Sequence, residues 1–273
     1  MTKQEYMDIL GKHTTDEVLL EEDDWEVLYR LSPIRKNIIS WYDFEKEKSI
    51  LDIGCRTGAV TEVFCEKGLK VTVIENSEIE LKLCQERLYP YRENMIYLSE
   101  PSEAQAGSYE YVSLIGTLEN VVQYVKGEDP IQHLMNFAKK SLKLSGKMFV
   151  AFDNKYAIRS YAGMPDLHTG KLFEGIQGYP GESVRAFSCQ EIEYKIRKAG
   201  FDKIEYYYPF PDYELPLQIF SDKYLPKMDE ITESAASYKW PRMQLFDEVL
   251  AYSSICKDGL FPQFSNSYLM VCE

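Results

Sequence analysis

A chain of 273 residues has room for one large domain or two small ones, with a sizeable core. Hydrophobic residues make up 45% and charged residues 27%, too apolar a mixture for a disordered chain. Lys and Arg number 31 against 44 Asp and Glu, a net charge of −13, which argues against nucleic acid and anionic membrane surfaces, since both recruit Lys and Arg. No apolar run approaches the ~18–20 residues of a transmembrane helix. The first thirty residues also lack a signal peptide's basic start and apolar run, so the expectation is a cytoplasmic protein without membrane insertion. Six cysteines without a C-x-x-C pair read as reduced thiols, and His13, His133 and His168 are too dispersed for a metal cluster, so no metal is expected.

In chain order, Thr2-x-x-Glu5 makes a capping box for a helix ending at Gly11, and the acids of 16–17 and 21–24 form a solvated face. Ser32-Pro33 starts a second helix running toward Trp41, so residues 1–48 read as an N-terminal helical segment before a main domain over 49–273. Strands are predicted at 49–53, 69–74, 95–98, 109–115, 147–152, 201–208 and 267–272. Helices are predicted from the turn at 54–58 to Lys67, from Ser77 to Leu88, over 130–142 and over 192–199. This alternation is the pattern of βαβ units on a parallel sheet. Two stretches break it, at about 153–187 and 209–266. Insertions there would wall the crevice at the carboxyl ends of the strands and form a substrate-side cap.

The informative run is Leu51-Asp52-Ile53-Gly54-Cys55-Arg56-Thr57-Gly58, followed by Glu75 at the tip of the second strand. A strand, a glycine turn and a helix N-terminus offer free amides to an anionic group, while an acid after the second strand can accept both hydroxyls of a ribose. A dinucleotide and S-adenosylmethionine both fit that outline. Three details favour the methyl donor. Asp52 would repel a pyrophosphate, the glycines are spaced G-x-x-x-G instead of G-x-G-x-x-G, and the last two predicted strands permit an antiparallel closing hairpin. An NAD-dependent oxidoreductase is the weaker alternative.

Asp52-x-Gly54-x-x-x-Gly58, Glu75, the strand 109–115 with Gly116, Leu118-Glu119-Asn120 and Leu144-Ser145-Gly146-Lys147 together resemble the motifs of class I S-adenosylmethionine-dependent methyltransferases. The resemblance implies a Rossmann-like, doubly wound, seven-stranded sheet with an antiparallel last strand and insertions after strands 5 and 6. It implies S-adenosyl-L-methionine as cofactor, held by Asp52, Gly54, Arg56 and Gly58, by Glu75 and Asn76, by Ser99 or Glu100, and by Gly116 and Leu118. Four further stretches, 31–37, 153–155, 173–179 and 208–216, are similar to a subgroup found beside or fused to bacterial glycosyltransferases of surface-polysaccharide pathways. They imply O-methylation of a small-molecule or glycan acceptor and a glycosyltransferase partner.

Arg56 departs from the family, which has a third glycine there, and an arginine costs steric freedom where the backbone nears the ligand and loses access to φ > 0. Its guanidinium can swing out or pair with the donor's carboxylate and leave binding intact, or the turn is distorted and the chain is a non-catalytic binding or regulatory module. On the acceptor side, the first insertion offers Asp153, Asp166 and His168 as bases for a hydroxyl, His168 because an unperturbed imidazole titrates near ~6.5. Glu119 reads equally as a substrate-orienting acid or a helix start.

Overall fold

The computed structural model describes Leu19 and residues 25–273, so the expected helix over 2–11, the acidic runs and His13 lie outside the described residues. Period-two burial builds the sheet. β1 (Ser49–Ile53) turns Leu51 and Ile53 to one core and Ile50 to the other, and β5 (Leu142–Asp153) divides Met148, Val150 and Phe152 from Phe149 and Ala151. β8 (Ser267–Cys272) does the same with Tyr268 and Met270 against Leu269 and Val271, and all six of its residues are buried. Strands covered on both faces need near-continuous apolar runs, which is how these segments read.

β2 (Lys70–Ile74), β3 (Met95–Leu98) and β4 (Tyr109–Ile115) run parallel with β1 and β5, and the sheet order is β3-β2-β1-β4-β5-β8-β6-β7. β8 lies antiparallel between β5 and β6 (Ile204–Phe210). The fold is therefore the doubly wound one expected, with eight strands in place of seven. The extra strand, β7 (Gln218–Ser221), folds back antiparallel onto β6 inside the second insertion. β5 also starts five residues earlier than its apolar run, because Leu142 pairs with Tyr109 and the register shifts before Tyr111.

Around the sheet lie α1 (Trp25–Leu31), α2 (Thr61–Glu66), α3 (Glu78–Arg87), α4 (Pro130–Ser141), α5 (Cys189–Lys198) and α6 (Glu248–Lys257). Side-chain caps fix several starts: Ser77 accepts from the Glu80 amide (3.4 Å), Asp129 from Gln132 (3.1 Å) and Ser188 from Glu191 (3.2 Å). Ser32-Pro33 opens a 3₁₀ helix, Pro33–Ile38, which stops short of Trp41. Among the described residues no helix is long and apolar enough to cross a membrane.

The two insertions interlock over the carboxyl ends of the strands. The Leu245 amide donates to the Ala162 carbonyl (3.0 Å) and Lys239 Nζ to the Leu167 carbonyl (2.9 Å). Gly163 (φ +97°) lies so close that a Cβ there would sit 1.9 Å from the Met243 carbonyl oxygen, so no side chain is tolerated.

Candidate functional site

Between the strand ends and the insertions lies a cavity of about 440 Å³, within the range of small-molecule sites. Arg56, Gly116 and Glu214 stand in its wall with Tyr29 of α1. Glu80 and Tyr124 lie toward the β1–β2 side, while Asp153, Arg159 and His168 come from the end of β5 and the first insertion.

The turn after β1 is left-handed at alternate residues: Gly54 at φ +80°, Arg56 at +52° and Gly58 at +77°. Position 56 thus takes the conformation that suits glycine, contrary to the expectation that an arginine there loses access to it; an L-residue pays on the order of 1 kcal/mol. The guanidinium compensates with three bonds, to Tyr29 Oη (2.9 Å), the Gly116 carbonyl (2.9 Å) and Glu214 Oε1 (3.4 Å). It is not swung out to solvent. It is fastened across the cavity wall, with the cavity open beside it.

Glu75 is buried and braces that turn. Its carboxylate accepts from the Arg56 amide (3.0 Å), the Ser77 amide (2.9 Å) and the Tyr124 hydroxyl (3.3 Å), and burial raises its pKa. Tyr124 also covers Gly54, where a Cβ would lie 3.0 Å from its hydroxyl oxygen. Asp52 accepts from Thr61 Oγ1 (2.7 Å) beneath the turn, and burial pushes it up to about 6. Gly58 lets α3 approach, since a Cβ would meet Cys84 Sγ at 3.0 Å.

Of the ten residues expected to hold a cofactor, Arg56 and Gly116 line the cavity. Asp52, Gly54, Gly58 and Glu75 shape the turn behind it. Asn76 donates to the Gln123 carbonyl, and the Leu118 side chain is fully buried in the core. Ser99 and Glu100 are exposed, their amides tied to Glu103, so the loop after β3 caps a one-turn helix and does not reach the cavity.

At the β4–β5 end, Asp153 and His168 come together, with His168 Nε2 3.7 Å from Asp153 Oδ2. Asp153 Oδ1 accepts from Arg159 Nη2 (2.5 Å), and Arg159 Nη1 reaches Asp212 (3.1 Å). Glu119 is 1% exposed; its Oε1 accepts from the Asp153 amide (2.9 Å), while Oε2 has no partner among the described residues. Burial, and then the charge of Asp153, raises Glu119, and burial raises Asp153 against the pull of Arg159. Burial lowers the His168 imidazole to about 4, so the side chain is neutral at pH 7 and a weaker base than its free form. Asp166 is spent on structure: it accepts from the His168 and Thr169 amides (3.0 and 2.9 Å) and from the Tyr179 hydroxyl (2.6 Å).

Sequence reasoning missed Tyr29, Arg35, Arg159 and Glu214. Arg35 and Glu214 form a buried ion pair, and Asn37 donates to the Pro216 carbonyl (2.9 Å). These contacts join 31–37 to 208–216, stretches that stood out in the sequence only by resemblance. Arg35 and Arg56 outweigh the cost of burial and hold the Glu214 carboxyl down at about 2.

No protein-family model matches the chain. The chain is similar to the ubiquinone biosynthesis O-methyltransferase of Saccharophagus degradans, 28% identical over 138 residues, 49% of this chain and 56% of that protein. It spans about half the length of the curated relatives it matches. A crystal structure of a SAM-dependent methyltransferase from Archaeoglobus fulgidus superposes with a TM-score of 0.56 at 13% identity, covering 91% of this chain and 97% of that one. Haemonchus contortus phosphoethanolamine N-methyltransferase 2 in complex with S-adenosyl-L-methionine gives 0.52 at 17% identity, covering 96% and 60%. At these identities the structural likenesses speak for the fold alone.

Proposed function

We propose that this chain, whose fold is that of the class I methyltransferases, transfers a methyl group from S-adenosylmethionine to the hydroxyl of a small-molecule or carbohydrate-like acceptor. One observation carries the reading: a single cavity joins the glycine-and-acid turn after β1 to a buried acid–imidazole cluster at the end of β5. The residues suit that donor. Glu80, Asp153, Asp212 and Glu214 line the cavity beside Arg30, Arg56 and Arg159, and these acids are ion-paired, a mixed lining that suits a ligand carrying both a sulfonium and a carboxylate. Arg56, Gly116, Glu80 and Tyr124 would hold it, and when bound it supplies a methyl activated toward displacement.

The chain's own contribution is alignment and proton handling. Holding the nucleophile ~3–3.5 Å away and in line supplies most of the acceleration in such displacements. Asp153, Glu119 and His168 offer acceptors for the proton of the acceptor hydroxyl. The raised carboxyls are better matched to neutral pH than an imidazole lowered to about 4.

A second reading has its own observation. The Arg56 guanidinium takes the Gly116 carbonyl and Tyr124 covers Gly54, which favours a binding or regulatory module without turnover. Calorimetric titration with S-adenosylmethionine, S-adenosylhomocysteine and NAD, followed by turnover against hydroxyl acceptors, separates the readings. Binding with turnover supports the enzyme; heat from neither methyl-cycle ligand defeats both. A tenfold or larger gain in donor affinity in Arg56→Gly would show that the guanidinium obstructs the site.

A further inference from the structure

We propose that Glu119, Asp153 and His168 bind one divalent cation at the β4–β5 end of the cavity, with its free coordination positions facing the acceptor. Each residue offers one ligand atom, and these atoms lie within 4.8 Å of one another, although they come from the turn after β4, the end of β5 and the first insertion. Bonds of about 2.0–2.3 Å leave ligand atoms up to roughly 4.6 Å apart, so a small closure of the side chains completes the set.

A separate observation points to a missing ligand. Glu119 Oε2 and His168 Nε2 are shielded from solvent and have no hydrogen-bond partner among the described residues, and Glu119 is 1% exposed. Buried polar atoms are rarely left so, because each forfeits its hydration without return. The surroundings hold the set in place. The Asp153 amide fixes Glu119 Oε1, Arg159 fixes Asp153 Oδ1 and leaves Oδ2 toward the imidazole, and Asp166 pins the His168 main chain. The cationic side chains nearby are engaged elsewhere: Arg56 with Glu214 and the Gly116 carbonyl, Arg159 with Asp153 Oδ1 and Asp212, Lys239 with the Leu167 carbonyl.

Two carboxylates and one imidazole, a mixed oxygen and nitrogen set, suit Mn2+ better than the all-oxygen Mg2+, and a six-coordinate ion leaves about three positions for water or acceptor oxygens. An acceptor with two neighbouring oxygen atoms is the class that would use them. The cation site stands on its own contacts; its service to an acceptor rests on the proposed function, and there a bound cation would lower the acceptor hydroxyl's pKa in place of proton uptake by these three side chains.

The test is titration of the metal-free, full chain with Mn2+, followed by calorimetry and electron paramagnetic resonance with no donor or acceptor present. One Mn2+ per chain is expected, weakened at least tenfold in Glu119→Gln and in His168→Ala and unchanged in His133→Ala, whose imidazole is exposed on α4. Urea unfolding of each variant without metal checks that it folds, and His168→Gln replaces His168→Ala should the latter not. No binding at millimolar Mn2+, or equal binding in the wild type and both cluster variants, overturns the site. Binding without any methyl transfer would sink the proposed function and leave the site standing, and methyl transfer without binding would do the reverse.

Discussion

At the β1–β2 end of the cavity Glu75 accepts two backbone amides and a tyrosine hydroxyl, whereas at the β4–β5 end one oxygen of Glu119 and one ring nitrogen of His168 stand without hydrogen-bond partners among the described residues. Both acids are almost wholly buried, so exposure does not distinguish them. What differs is satisfaction. A saturated carboxylate holds the backbone in shape, here a turn with three left-handed residues, and its own atoms are used up in doing so. An unsaturated one leaves a desolvation cost of about 1–3 kcal/mol uncancelled, which a protein recovers when something binds. Between the two ends, Glu214 with Arg35 and Arg56 ties the 3₁₀ helix Pro33–Ile38 and the second insertion to the glycine turn.

That central tie gives the largest expected effect on the contrast. Glu214→Gln leaves Arg35 buried without its charge partner and should lower the free energy of unfolding by about 3 kcal/mol in urea, with much of it regained in Glu214→Leu combined with Arg35→Met. Its pH signature follows from a folded pKa of about 2, below the usual carboxylate value of 4.5. The stabilisation is fully present above about pH 4.5 and is lost as pH falls toward 2, so the wild-type and Glu214→Gln unfolding curves should converge in acid.

Glu75→Gln comes next. Weakened bonds to the Arg56 and Ser77 amides should cost about 2 kcal/mol of stability and, if the turn serves a donor, at least tenfold in S-adenosylhomocysteine affinity by calorimetry. An unchanged affinity would separate the turn from any donor. Asp52 runs opposite to Glu214. With its folded pKa raised from 3.8 to about 6, the charged form is disfavoured on folding, so stability declines as pH rises through that window. Asp52→Asn keeps an acceptor for Thr61 and should gain on the order of 2 kcal/mol at pH 7 while flattening the window. The smallest effect is Tyr124→Phe, about 1 kcal/mol for one 3.3 Å bond to Glu75.

Much of this was legible in residue order, because local physics writes it there. The alternation of Ile50, Leu51 and Ile53, the caps at Ser77 and Ser188, and the glycines flanking Arg56 each act over a few residues. β7 was hidden because four residues in a proline-rich stretch carry little periodicity, and only pairing with β6 makes them a strand. The Arg35–Glu214 pair spans 179 positions, and Glu119, Asp153 and His168 meet only when β4, β5 and an insertion share one edge. Charge in an unaligned sequence looks alike whether it will be solvated or buried. His168 shows the cost: its appeal as a base rested on an ordinary imidazole, and burial removes that property.

The position of β8 also governs when the sheet can close. Residues 267–272 are threaded between β5 and β6, so β6 and its hairpin mate β7 have no seat on the sheet until this late segment arrives. Some sixty residues of emerging polypeptide, with the wall that carries Glu214, must wait undocked behind β5, an arrangement that slows assembly and gives chaperones an interval in which to act.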